Sequence, residues 1–174
     1  CKSVVKKDKN GKEGTYIEKT KYDAADDTIV TSNASIKFFL NNTKKVKDIL
    51  AMYPTILSWN IKNKRWETDE RGYLRLTFQY GKKDTYQPRS FEDAFFSENE
   101  KFITENTFSS LHPNSLEQFK SDKDAYELAN NGVSGKSSLA IEILLNSKKE
   151  GSCDFSNWVV PTYIKEGLLW LRKD

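Results

Sequence analysis

Histidine is nearly absent from this 174-residue chain: His112 is the only one, and it stands before Pro113 in a polar stretch. A lone imidazole leaves triad chemistry and zinc catalysis poorly supplied, because each draws on further His, Cys or carboxylate partners. Cysteine is as scarce. Cys1 and Cys153 lie near opposite ends without metal-type spacing, so neither a disulfide framework nor a zinc site organises the fold. No apolar run approaches the roughly 20 residues that span a bilayer, and no basic, apolar, small-residue leader opens the chain. No membrane contact is expected.

A basic body is missing too. The net charge of +3 is supplied wholly by residues 1–14, where Lys2, Lys6, Lys7, Lys9 and Lys12 face Asp8 and Glu13. Taking those five bases and two acids from totals of 28 and 25 leaves 23 of each, so the remainder is neutral. A nucleic-acid reader usually shows a basic face; the bulk charge does not provide one, although a local patch can hide inside a neutral total.

What is present is a globular composition, 37% hydrophobic and 13% aromatic, too aromatic for a disordered tail. Residues 1–14 read as a basic polar leader or loop, with a short extended piece at 15–19 and one domain over 15–174. Thr31, Ser32 or Asn33 can cap a helix carrying Ile36, Phe39 and Leu40 on one face. Val46, Ile49, Leu50 and Tyr53 make a second helix, which Pro54 stops. Residues 55–72 give mixed signals around Trp59 and Trp66, and the tryptophans read as core or interface anchors. From Tyr73 to Tyr80 the pattern alternates, which predicts a strand with Leu74, Leu76, Phe78 and Tyr80 on its apolar face, at an edge or on a sheet covered on one side.

Ser90 is a credible N-cap for a helix over 91–96, with Asp93 in the capping-box position. Residues 98–131 read as helical, broken near His112–Pro113 and Ser121. Leu139, Ala140, Ile143 and Leu144 mark an amphipathic helix starting near Lys136. Pro161 suits a helix's first turn, and Tyr163, Ile164, Gly167, Leu168 and Leu171 form a stripe expected to dock the last helix. One or two strands against five or six helices suit the helix-rich back half of an α/β domain whose central strands lie upstream. The initial Cys in place of Met agrees with that; the alternative is a bacterial lipoprotein binding module tethered through Cys1, not an enzyme.

Two motifs carry candidate chemistry. Gly135-Lys136-Ser137 ends as a phosphate-binding loop does, but the first glycine of a Walker A motif is replaced by Asn130, and the preceding residues are helical where a strand is required. Lys136 still falls in the first turn of a helix, where the macrodipole disfavours a cation by ~0.3–1 kcal/mol. It is either a solvated lysine or a phosphate ligand assisted by nearby amides. In Arg89-Ser-Phe-Glu-Asp-Ala-Phe95, Glu92 and Asp93 occupy a first turn that stabilises carboxylates without any function. Alternatively Glu92 offers a hard oxygen to Mg2+, and Arg89 meets a phosphate in bidentate fashion.

Thr31-Ser-Asn-Ala-Ser-Ile-Lys37, Arg89-Ser-Phe-Glu-Asp-Ala-Phe95, and Gly135-Lys136-Ser137 followed by Trp158-Val-Val-Pro-Thr-Tyr-Ile-Lys-Glu-Gly-Leu-Leu-Trp170 together resemble the C-terminal Toprim region of OLD-family (overcoming lysogenization defect) ATP-dependent endonucleases. The likeness extends over most of residues 28–174. It implies an α/β Toprim-type domain that cuts DNA with Mg2+ or Mn2+, with Glu92 as the late acidic metal ligand and Lys136 approaching the scissile phosphate. Arg89, Ser32 and Asn33 are implied to lie near the same site. The early Glu, the Asp-x-Asp motif and the ATPase half with its ATP site are missing from these residues, so the implied enzyme is completed by an N-terminal ATPase and early Toprim segments. Its implied setting is the bacterial cytoplasm, in phage defence or DNA processing, as a homodimer or a larger assembly with a defence partner. Two-metal hydrolysis needs several converging carboxylates, so residues 1–174 alone are expected to be inactive.

Overall fold

The computed structural model describes residues 1–7, 9–80, 86–150, 153–154 and 157–172. The fold is mixed α/β, and the chain divides into two compact units, one of residues 1–80 with 166–174 and one of residues 81–165. No helix among the described residues is long and apolar enough to cross a membrane.

The first unit opens with a two-stranded antiparallel ribbon, β1 (Lys2–Lys7) and β2 (Glu13–Glu18), in the register Lys2↔Glu18 to Lys7↔Glu13. This corrects the expectation of a loop over 1–14. No residue of the ribbon is buried, so neither face shows the apolar alternation that betrays a half-buried strand. At its tip Gly11 takes φ +79, a left-handed conformation open to glycine. At its base Val30 N–H donates to the Cys1 carbonyl at 2.8 Å, and Lys2 pairs with Asp26 at 2.8 Å.

Helix α1 (Ala34–Phe39) is capped by Asn33, whose Oδ1 accepts from the Ile36 amide at 3.0 Å. Asn41 and Asn42 then take positive φ and end it. Helix α2 (Val46–Ala51) ends before Pro54 as expected. Residues 55–72, where the sequence signals conflict, form the hairpin of β3 (Thr55–Asn60) and β4 (Arg65–Thr68), with Trp59 directly opposite Trp66. Strand β5 (Leu74–Leu76) completes an antiparallel sheet in the order β4-β3-β5. The strand expected over 73–80 is therefore an edge strand as anticipated, but much shorter. Leu76 pairs with Thr55, and the next position on β3 is Pro54, which has no N–H to donate. Phe78 is nonetheless buried, in a core of Leu40, Ile49 and Leu57 over which Ile36, Tyr53, Trp66 and Leu74 pack.

In the second unit, α3 (Phe91–Glu98), α4 (Glu100–Glu105), α5 (Pro113–Asp122), the short α6 (Ala125–Glu127) and α7 (Lys136–Asn146) enclose a core rich in phenylalanine. Phe95, Phe96, Phe102, Phe108 and Phe119 meet there with Ile103, Leu111, Leu128, Leu139 and Ile143. The first break falls as expected, His112 being the N-cap position of α5 with Pro113 at its first turn; Ser121 is still helical, and the second break comes at Lys123, which closes α5 in a left-handed conformation. A π-helical turn, Leu128–Gly132, follows α6, and a Leu111↔Val133 bridge ties the loop after α4 to the approach to α7. Glu142 of α7 accepts from the Ser109 and Ser110 amides at 3.0 and 3.1 Å. A short ladder pairs β6 (Lys149–Glu150) with β7 (Cys153–Asp154).

The last helix, α8 (Thr162–Leu171), follows Pro161. Its half-buried positions are Tyr163, Ile164, Glu166, Gly167 and Trp170. Leu168 and Leu171, expected in the docked stripe, are exposed. The helix is rotated from that expectation because Gly167 lies against Thr77, and Glu166 accepts from Tyr53 Oη and faces Arg75.

Candidate functional site

Helix α3 begins where Ser90, in extended backbone, accepts from the Asp93 amide at 3.2 Å through Oγ. That cap sets two consecutive carboxylates in the first turn, and they go to different places. Glu92 leans toward α7, where Lys136 Nζ lies 2.8 Å from its Oε1. Only 8% of Glu92 is exposed, while the Lys136 side chain is 75% exposed. Burial opposes ionisation of Glu92, but hydrogen bonds from Lys136, its own amide and Ser90 outweigh it, and the carboxyl stays below its usual range.

Asp93 is wholly buried. Its Oδ2 accepts the Arg89 amide at 2.9 Å, and its Oδ1 accepts from Tyr86 Oη. Desolvation dominates, raising Asp93 above the ordinary aspartate value despite those donors; the Tyr86 hydroxyl, partly desolvated and bonded to a carboxylate, is raised as well. The Arg89 guanidinium lies 4.7 Å from the Tyr126 ring centroid, with Nη1 3.4 Å from Asn130 Oδ1. Its Nε is buried, has no hydrogen-bond acceptor, and stands 3.9 Å from Asp93 Oδ2.

Lys136 occupies the first position of α7 because Gly135 is the N-cap, without a side-chain cap bond. A π-helical turn leads into it in place of a strand, so the Walker A context is absent, as the spacing requires. The dipole conflict at Lys136 is offset locally by Glu92.

The structure thus brings Glu92 and Lys136 into contact across 44 positions, and sets Arg89 just ahead of the same helix start. Ser32 and Asn33 belong to the first unit. Ser32 is exposed, and Asn33 Oδ1 is committed to capping α1. The paired roles of Asp93 and Tyr86 escaped sequence reasoning. The available signal was the Arg89/Asp93 spacing of four beside a capping serine.

Among the described residues, no three His, Cys, Asp or Glu side chains gather as a metal cage. Glu92 provides one carboxylate, with one oxygen held by Lys136. These residues do not by themselves fit a two-ion centre. No family model, curated protein or solved structure matches the chain.

Proposed function

We propose that this chain is a helix-rich part of a Toprim-type nuclease domain, acting on DNA phosphodiesters in an OLD-like endonuclease of the bacterial cytoplasm. The observation that carries the proposal is the Glu92–Lys136 contact: a nearly buried carboxylate holds a mostly exposed ammonium at the start of α7. A cation at a helix's positive end is unfavourable unless something compensates it. Glu92 compensates it without covering it, leaving Lys136 free to meet a phosphate oxygen.

In this proposal Lys136 stabilises charge on the phosphoryl oxygens, and Arg89 contacts a neighbouring phosphate through guanidinium donors. Asp93 and Tyr86 hold the backbone from which Arg89 projects. Binding of Mg2+ or Mn2+ requires carboxylates beyond Glu92, from a longer form of the chain or from a partner. The test is Glu92→Gln in the longest reading frame that contains these residues, which keeps the shape and removes the charge. Plasmid cleavage should collapse while the circular dichroism spectrum is unchanged; near wild-type nicking across a metal titration would reduce Glu92 to a helix-start carboxylate.

A further inference from the structure

We propose that the β1–β2 ribbon is a docking arm for duplex DNA, contacting phosphates through the lysines around its tip. The proposal rests on the DNA-directed function above, but on none of the same residues. The chain's entire excess positive charge lies in residues 1–14, where Lys6, Lys7, Lys9 and Lys12 share seven positions with Asp8; in the ribbon Lys6 pairs with Glu18 and Lys7 stands opposite Glu13, which leaves the cationic excess at the tip. The structure sets that run on an antiparallel ribbon: two six-residue strands in full register, with Lys7, Lys9 and Lys12 exposed around the turn. No third strand pairs with either edge among the described residues. The base is fixed to the body through Cys1–Val30 and Lys2–Asp26.

Six residues of strand extend about 20 Å, and a two-stranded ribbon is an element that the ~12 Å major groove admits. The side chains suit that setting. Tyr16 lies over Gly14 on the strand leaving the turn, and the exposed Val5, Thr15 and Ile17 present methyl groups of the kind that meet thymine methyls. An anionic membrane is the weaker match. An element that lies on a membrane separates an apolar face from a basic one. Here Lys2 and Lys6 stand on one face of the ribbon and Lys7 on the other, as the register requires.

The experiment is a salt titration of binding between the whole chain and a fluorescein-labelled DNA duplex two helical turns long, read by anisotropy. Three proteins are compared: wild type, Lys7→Gln/Lys9→Gln/Lys12→Gln, and a control with the same charge loss, Lys62→Gln/Lys101→Gln/Lys148→Gln. Each phosphate contact contributes about 0.9 to the slope of log affinity against log salt, so the ribbon variant should lose about 2.7 from it. Between about 50 and 200 mM salt, wild-type affinity should then fall about 40-fold more than that of the variant. The control should keep the wild-type slope, and Lys7→Arg/Lys9→Arg/Lys12→Arg should restore it, which also shows that the ribbon still folds.

Equal losses in both Gln triplets, an unchanged slope in the ribbon variant, or no duplex binding by wild type would overturn the arm. So would ribbon-dependent binding to phosphatidylcholine–phosphatidylserine vesicles that exceeds binding to the duplex. Cleavage is not the readout, so failure of the Glu92 and Lys136 assignment leaves this result standing, and failure of the arm leaves that assignment standing.

Discussion

Removing Lys136 exposes two opposing terms that the structure allows to be separated. The ammonium donates to Glu92 Oε1 at 2.8 Å, a charge-assisted bond worth about 1.5–3 kcal/mol in a protected setting. Because the lysine side chain is 75% exposed, solvent screening reduces that to about 1 kcal/mol. Against it stands relief of the helix dipole, about 0.3–1 kcal/mol in favour of the variant. Lys136→Ala alone should therefore change stability little. The same substitution in a Glu92→Gln background should be neutral or stabilising, because only the dipole contribution remains. A double-mutant cycle by urea unfolding isolates the difference, with an expected coupling of about 1 kcal/mol. That amounts to about 2–4 °C in melting temperature for a protein of this size, shrinking as salt is raised. Coupling below about 0.3 kcal/mol, within the scatter of independent sites, would show that the contact does not hold in solution.

Phe96, fully buried among Phe95 and Phe119, should cost about 3–5 kcal/mol on replacement by Ala, measured by urea unfolding. Gly72→Ala should destabilise the three-stranded sheet by about 1–3 kcal/mol, because its Cβ would stand 2.4 Å from the Leu57 carbonyl oxygen; an unchanged midpoint would mean that the turn is placed wrongly. Glu67, hydrogen-bonded by Asn63, Arg65 and Asn60, has its pKa lowered from 4.5 to about 2. A depressed carboxyl contributes stability that is full above the unfolded value and is lost as pH falls through the folded one. The gap between wild type and Glu67→Gln should thus be constant near neutrality and close between pH 4.5 and about 2.

Elements whose apolar residues face one interior were legible in the sequence. Ile36 and Leu40 behind a capping asparagine, Ile49 ahead of Pro54, and Leu139 and Ile143 after Gly135 each place a helix where the structure has one. Strands that lack such an interior were not legible. The ribbon is exposed on both faces, and the pairing of Trp59 with Trp66 is a relation between two chain segments that no periodicity within either can display. Tyr73 to Tyr80 shows the opposite failure: the alternation is real, but pairing ends at Leu76 because the neighbouring strand begins after a proline. At the candidate site, both members of the Glu92–Lys136 contact were singled out from the sequence, whereas the hydrogen bond from Tyr86 to the buried Asp93 joins residues that no motif in the sequence pairs.

The most direct measurement of the proposed chemistry is the single-turnover cleavage rate of supercoiled plasmid by the longest reading frame containing these residues, with and without Lys136→Ala. If Lys136 stabilises charge on the phosphoryl group, the rate should fall about 10²- to 10³-fold, as when one preorganised donor is deleted. Duplex affinity should weaken far less, since one phosphate contact is a small part of the electrostatic footprint. A Lys136→Ala protein that cuts at the wild-type rate with unchanged folding would contradict the phosphodiester role of this site.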